Sequence, residues 1–144
     1  MPQRILWFDN DPAYIRPYVR ALRENRYEVE IVTALNDAER SISEASHDLL
    51  ILDVMIPTKS FDEMERYGPD ETDLGNKSGL IFYRRMRKKL GDALPKVLVV
   101  TVRLDQGIMR EFIEDGLPRE RFVTKYEVRD THDFLRKVQS ALEE

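Results

Sequence analysis

The chain has 144 residues, of which 42% are hydrophobic and 35% charged, with a formal charge of −4 and no cysteine. That length supports one sizeable core and is too short for two ordinary domains. The lack of any long apolar stretch excludes a membrane-spanning helix, and an amino terminus that turns straight into a strand-like run does not read as a signal peptide, so a cytoplasmic protein is expected. Without cysteine there are no disulfides, thiol nucleophiles or cysteine metal sites. Nonspecific nucleic-acid binding needs a concentrated basic patch, which the acidic balance disfavours, so neither nucleic acid nor membrane is an expected partner.

Ile5 to Phe8 is an apolar, strand-like run that ends in Asp9-Asn10-Asp11. Asp11-Pro12 then has the form of an N-cap followed by proline at the first helical position, and Ile15, Val19 and Leu22 recur at helical spacing. Pro17 removes a backbone donor inside that helix and is expected to bend it or delay its regular part. Val29 to Thr33 reads as the second strand and Asn36 to Ala45 as the second helix, with Asn36 as its cap. Leu49 to Leu52 is the third strand, followed directly by Asp53 and by Val54-Met55-Ile56-Pro57.

Gly79 opens a third helix with Leu80, Tyr83 and Met86 on one side, and its Arg84 to Lys89 run reads as a solvated face. Val97 to Val100 is the fourth strand, ending in Thr101. Ile108, Phe112 and Ile113 mark a fourth helix that stops near Gly116. Arg121 to Thr124 is the fifth strand, ending in Lys125, and Phe134, Val138 and Leu142 mark a fifth helix. His47 and His132 lie away from the strand ends and read as ordinary surface residues.

Strands that alternate with helices imply right-handed crossovers and a parallel sheet covered on both faces. In such open α/β sheets, ligands bind beyond the carboxyl ends of the strands. Asp9, Asp53, Thr101 and Lys125 each follow a strand-like run, so parallel neighbours would bring all four to one rim. Each alone has a plain structural reading, as a cap, a turn residue, a strand-end hydroxyl or a solvated charge. Their shared position is the signal.

These residues, in this order, resemble the receiver domain of two-component response regulators: Asp9 and Asn10 after the first strand, Asp53 with Pro57 after the third, Thr101 after the fourth, Lys125 after the fifth. The resemblance spans residues 1–144 as one domain, apart from a long insertion at about 58–78. It implies a flavodoxin-like, doubly wound, five-stranded parallel sheet of order 2-1-3-4-5. It also implies that Asp53 accepts a phosphoryl group from a histidine kinase or phosphotransfer protein. Mg2+ would sit on Asp9, Asn10, Asp53 and the backbone carbonyl of Met55. Lys125 would pair with the phosphoryl oxygens and the Asp53 carboxylate, and the Thr101 hydroxyl would donate to another oxygen. Phe122 matches the aromatic position that changes rotamer on activation.

The chemistry suits these residue types. A carboxylate attacks phosphorus to give an acyl phosphate when metal and fixed donors neutralise charge on the transferring group. Mg2+ accepts one or two carboxylates, keeps several waters and completes its octahedron with phosphate oxygens.

The sequence departs from the family pattern in places. Asn10 stands where an aspartate is usual, which removes a formal charge from the cradle and lowers metal affinity. Val102 replaces a small residue. Tyr126 replaces a proline that is commonly preceded by a cis bond, so the loop after Lys125 is expected to differ.

The 58–78 stretch is far longer than receivers need between proline and glycine. Ser60-Phe61-Asp62-Glu63 fits a capping box, with Phe61, Met64 and Tyr67 at near-helical spacing before Gly68-Pro69, so a short amphipathic helix is expected. Asp70 to Lys77, polar and acidic, reads as a mobile remainder. The stretch is either a tolerated surface insertion or a partner-specific lid beside Asp53.

The expected function is therefore that of a phosphoacceptor and not of a conventional enzyme. With no effector domain after Glu144, output would come from the fourth helix, fifth strand and fifth helix, through a protein partner or self-association. One alternative is a degenerate receiver that binds partners without phosphorylation. The other is a haloacid-dehalogenase-type phosphatase in which Asp9 is the nucleophile of an Asp-x-Asp motif, with Thr101 and Lys125 as later motifs.

Overall fold

The computed structural model describes residues 2–102 and 105–143. Five parallel strands form one sheet in the order β2-β1-β3-β4-β5. They are β1 (Arg4–Phe8), β2 (Glu28–Val32), β3 (Leu49–Leu52), β4 (Lys96–Thr101) and β5 (Phe122–Thr124). Side chains alternate across each strand, and that alternation divides the core in two. Leu6, Phe8, Leu50, Leu52, Val97 and Val99 pack on one face, while Ile5, Trp7, Leu49, Ile51, Leu98 and Val100 pack on the other. Both faces are buried, which is why the central strands read as unbroken apolar runs. The edge strand β2 differs, since Glu28 and Glu30 face solvent.

The helices follow from this division. α1 (Pro12–Glu24) and α7 (Thr131–Glu143) cover the second face, whereas α2 (Leu35–Glu44), α5 (Ser78–Leu90) and α6 (Gln106–Glu114) cover the first. Asp11 caps α1 as its sequence predicts, its carboxylate accepting from Tyr14 N–H at 3.3 Å. Pro17 does not delay the helix, which runs from Pro12 through it. None of the helices among the described residues is long and apolar enough to cross a membrane.

Four local expectations need correction, most of them because a distant residue supplies what the local pattern lacks. Asn36 is not the cap of α2; the helix starts at Leu35 with Ala34 before it and no side-chain cap. Instead the buried Glu63 carboxylate accepts from Asn36 N–H at 2.8 Å and from Lys59 N–H at 2.7 Å. A carboxylate at a helix N-terminus satisfies an orphan donor and complements the helix dipole. The capping box at Ser60 is accordingly half formed, with Ser60 Oγ accepting from Glu63 N–H at 3.1 Å while the Glu63 side chain turns away to α2.

The expected short helix exists as α3 (Phe61–Arg66), but its apolar face is not the buried one, because Phe61 and Met64 are exposed and only Tyr67 enters the core. Asp70 to Lys77 is structured. α4 (Pro69–Thr72) begins at the proline that follows the expected short helix, and buried Thr72 accepts from Gly75 N–H at 3.1 Å and from Lys77 N–H at 2.9 Å.

The third correction is the Arg84 to Lys89 run, which is more than a solvated face. Arg84 pairs with Asp115 at 2.6 Å and Glu111 at 3.1 Å, tying α5 to α6, and Lys89 reaches Ser43 at 3.1 Å. Fourth, the His47 side chain is buried, with Nε2 3.1 Å from Glu30 Oε1 and Nδ1 without a hydrogen-bond partner among the described residues. His132 is exposed as expected.

Candidate functional site

At the carboxyl ends of β1, β3 and β5, two carboxylates and one cation are buried together. Asp9 follows β1, Asp53 follows β3 and Lys125 follows β5; all three are buried. Adjacent parallel strands bring the first two into register, since Phe8 is opposite Leu52. Lys125 Nζ lies 2.9 Å from Asp9 Oδ2 and 3.9 Å from Asp53 Oδ2. The lysine is thus closer to Asp9 than to the carboxylate it was expected to pair with.

Backbone donors hold the remaining oxygens. Asp9 Oδ1 accepts from Asp11 N–H at 2.8 Å, and Asp53 Oδ1 accepts from Val54 N–H at 2.8 Å. Asp9 Oδ2 has the Lys125 ammonium as its partner. Two buried carboxylates beside one ammonium leave a negative charge unbalanced. This is the donor set of a hard cation: two carboxylates suffice for Mg2+, which retains waters in its other positions. No third His, Cys, Asp or Glu joins them to form a metal-binding group among the described residues. Asn10 is exposed and Met55 half-buried.

Burial pushes the Asp53 carboxyl up to about 7; the neighbouring Asp9 charge adds to this, and Lys125 and the Val54 N–H oppose it. Between the ordinary carboxylate range and about 7, the folded protein therefore keeps a proton that the unfolded chain has released. Stability should fall as pH rises through that window. We expect urea unfolding in metal-free buffer to give lower stability at pH 8 than at pH 5. Asp53→Asn should remove the difference and raise stability at pH 8 by about 2 kcal/mol. Parent curves that coincide at the two pH values would refute the burial cost.

Thr101 ends β4 and is buried, with Thr124 as its partner in register on β5. Phe122, also buried, stacks at a tilt on Phe112 of α6 with ring centroids 5.8 Å apart, and Phe112 meets Tyr83 of α5 at 5.4 Å. The loop after Lys125 is a single 3-10 turn, Lys125–Glu127, closed by a reciprocal cap between Thr124 and Glu127. No cis peptide occurs among the described residues, so this turn takes over where a proline would stand.

One site residue escaped the sequence reading. Tyr14 places its ring 4.5 Å from Lys125 Nζ, and its hydroxyl donates to Lys125 O at 3.5 Å. The ring face attracts the ammonium and restricts where it rests. Burial, with Tyr18 and the Asp9 and Asp11 carboxylates, pushes the Tyr14 phenol above its usual range, so it stays neutral. The available signal was its place in the first turn after Asp11, which aims it over the same rim.

The sequence matches no protein-family model and no curated protein. Solved structures give a different result. A CheY-like response regulator receiver domain protein from Methanospirillum hungatei JF-1 superposes with a TM-score of 0.75 at 19% identity, over 99% of this chain and 95% of that one. A response regulator from Thermotoga maritima matches at 0.71 and 16% identity over the full length of both. One from Burkholderia pseudomallei, solved with a phosphorylated aspartic acid, calcium ion and citrate, matches at 0.68 and 16% identity, over 98% of this chain and 69% of that one. With strand order 2-1-3-4-5 and helices on both faces, the chain has the flavodoxin-like fold of response regulator receiver domains.

Proposed function

We propose that the protein is a phosphoacceptor receiver of a two-component phosphorelay: Asp53 takes a phosphoryl group from a histidine kinase or phosphotransfer protein and the fold passes the change to a protein partner or a second copy. The observation that carries this reading is the burial of Asp9 and Asp53 beside Lys125 at the carboxyl ends of neighbouring strands. One ammonium offsets only one of the two carboxylate charges, and a metal cation would offset the other. Asp9 and Asp53 would hold Mg2+, with Asn10 and the Met55 carbonyl at the edge of the cradle. When bound, the ion supplies charge neutralisation for the transferring group. Lys125, already poised between the two carboxylates by Tyr14, moves onto a phosphoryl oxygen, and Thr101 donates to another. The fold then acts as a switch and not as a conventional enzyme, in a cytoplasmic setting.

Phosphorylation in the presence of Mg2+ and a small phosphodonor, followed by mass spectrometry of the Asp53 peptide, tests the assignment. Coupling to output is tested separately. A phosphoryl group shifts populations only if it contacts the two states differently, and Thr101 is the residue suited to that contact. Its movement would open space for Phe122, which packs on α6 through Phe112. Thr101→Ala should still label on Asp53, but amide shifts at Phe112, Phe122 and Tyr126 induced by a bound phosphate mimic should fall by more than half. Equal shifts in the variant and the parent would rule out this route.

Asn10 favours a second reading, in which the chain binds partners without phosphorylation. It brings no charge to the cradle and is exposed. Absence of any Asp53 label with Mg2+ at saturating concentration would favour it.

A further inference from the structure

The 58–78 segment is braced against the domain on its inner side and apolar on its outer side. Arg66 pairs with Glu39 of α2 at 2.8 Å, the Tyr67 hydroxyl donates to the same carboxylate, and Arg85 of α5 stacks over the Tyr67 ring at 4.2 Å. With Glu63 capping α2, these contacts fix the segment in place. Yet Phe61 is 84% exposed, Met64 54% and Leu74 80%. Phe61 and Met64 lie one turn apart on α3, and Met64 and Leu74 line the same groove of about 300 Å³, with Pro57, Tyr67, Pro69 and Gly75.

Leu74 is the most informative of these. It has φ +56, between Asp73 at φ +53 and Gly75 at φ +88. The left-handed region suits glycine or asparagine and is costly for a bulky side chain. Here a leucine bears that cost and gains little burial within the domain. Such a combination points to a contact made outside the chain.

Charge identifies the kind of partner. Residues 58–78 contain six carboxylates against three cations, so they account for three of the four net negative charges. Arg66 and Arg85 engage Asp62 and Glu71, but Glu65, Asp70 and Asp73 are exposed and have no ion pair among the described residues. Each of these three follows or precedes a groove residue in the chain, Met64, Pro69 or Leu74, and an apolar groove with such acidic neighbours complements an apolar anchor flanked by cations. We propose that this groove docks a lysine- or arginine-rich amphipathic helix of a partner protein, with an apolar side chain seated between Met64 and Leu74.

The probe is a synthetic helical peptide with leucine at i, i+3, i+4 and i+7 and lysine elsewhere. It is titrated into the full chain without Mg2+ or phosphodonor, so the outcome does not depend on Asp53 chemistry. Amide shifts should concentrate at Met64, Tyr67, Leu74 and Gly75, and a glutamate counterpart of the peptide should give none. Leu74→Asn, which keeps the left-handed backbone comfortable, should weaken binding roughly tenfold. Asp70→Lys with Asp73→Lys should abolish it. The proposal is overturned if the lysine peptide fails to bind, binds elsewhere, is indifferent to Leu74→Asn, or is matched by the glutamate peptide. It is equally overturned if sedimentation shows that the parent self-associates and Leu74→Asn makes it monomeric, since the occupant would then be a second copy.

Discussion

Incubation with Mg2+ and acetyl phosphate should add the mass of one phosphoryl group to the protein, and Asp53→Asn should abolish the addition. The transfer forms a bond between an Asp53 carboxylate oxygen and phosphorus and breaks the bond from phosphorus to the acetyl oxygen, with acetate leaving on that electron pair. Asp53 has the required setting: one oxygen is fixed by the Val54 N–H at 2.8 Å, and the other faces Lys125 at 3.9 Å. Burial raises its affinity for a proton and so holds back the nucleophile until a cation balances the site. Omission of Mg2+ should therefore suppress labelling almost completely. Lys125→Ala should slow it on the order of 10²-fold, the usual loss when one fixed donor to a developing charge is removed. Label that persists in Asp53→Asn and disappears in Asp9→Asn would instead make Asp9 the nucleophile and favour the phosphatase-like chemistry.

The features legible in the sequence share one property: they are local. Leu49 to Leu52 is apolar on both faces because it lies at the centre of a doubly covered sheet, and Asp53 stands out because it breaks that run. The other central strands stand out for the same reason, while the edge strand β2 is legible to within a residue although Glu28 and Glu30 face solvent. Once the strands are adjacent and parallel, the meeting of Asp9, Asp53 and Lys125 follows from topology. The errors arise where the partner is distant. Glu63 caps a helix that starts 28 residues earlier in the chain, and Arg66 and Tyr67 converge on Glu39. No period or local motif encodes such contacts, so Glu63 read as half of a capping box and Asn36 as a cap. Tyr14 was missed because its contact is with Lys125, on the far side of the sequence. The preference of Lys125 for Asp9 over Asp53 is likewise a matter of side-chain reach.

Gly79→Ala should destabilise the protein by about 3 kcal/mol, against the ordinary effect of that change in a helix. Replacing glycine by alanine inside a helix usually gains about 0.5–1 kcal/mol, because alanine has less backbone freedom to lose. Gly79 is the second residue of α5, and its N–H donates to Val54 O at 2.8 Å, so the helix start is pressed against the end of β3. A Cβ there would meet Asp53 O at 2.1 Å and Val54 Cα at 2.8 Å. Both are backbone atoms, and neither can swing aside as a side chain does. Relief requires moving either α5 or the backbone of Asp53 itself, so loss of stability should come with slower phosphorylation. Gly107→Ala is the control. It too is the second residue of its helix, but the nearest atom to its added Cβ is the side-chain oxygen Asp105 Oδ1 at 3.2 Å, which caps Ile108 N–H and need yield only a few tenths of an ångström. Urea midpoints should therefore separate the two variants, with Gly107→Ala near the parent. If Gly79→Ala unfolds at the parental urea concentration, the close seating of α5 on the Asp53 loop is wrong, and with it the explanation for glycine at the start of this helix.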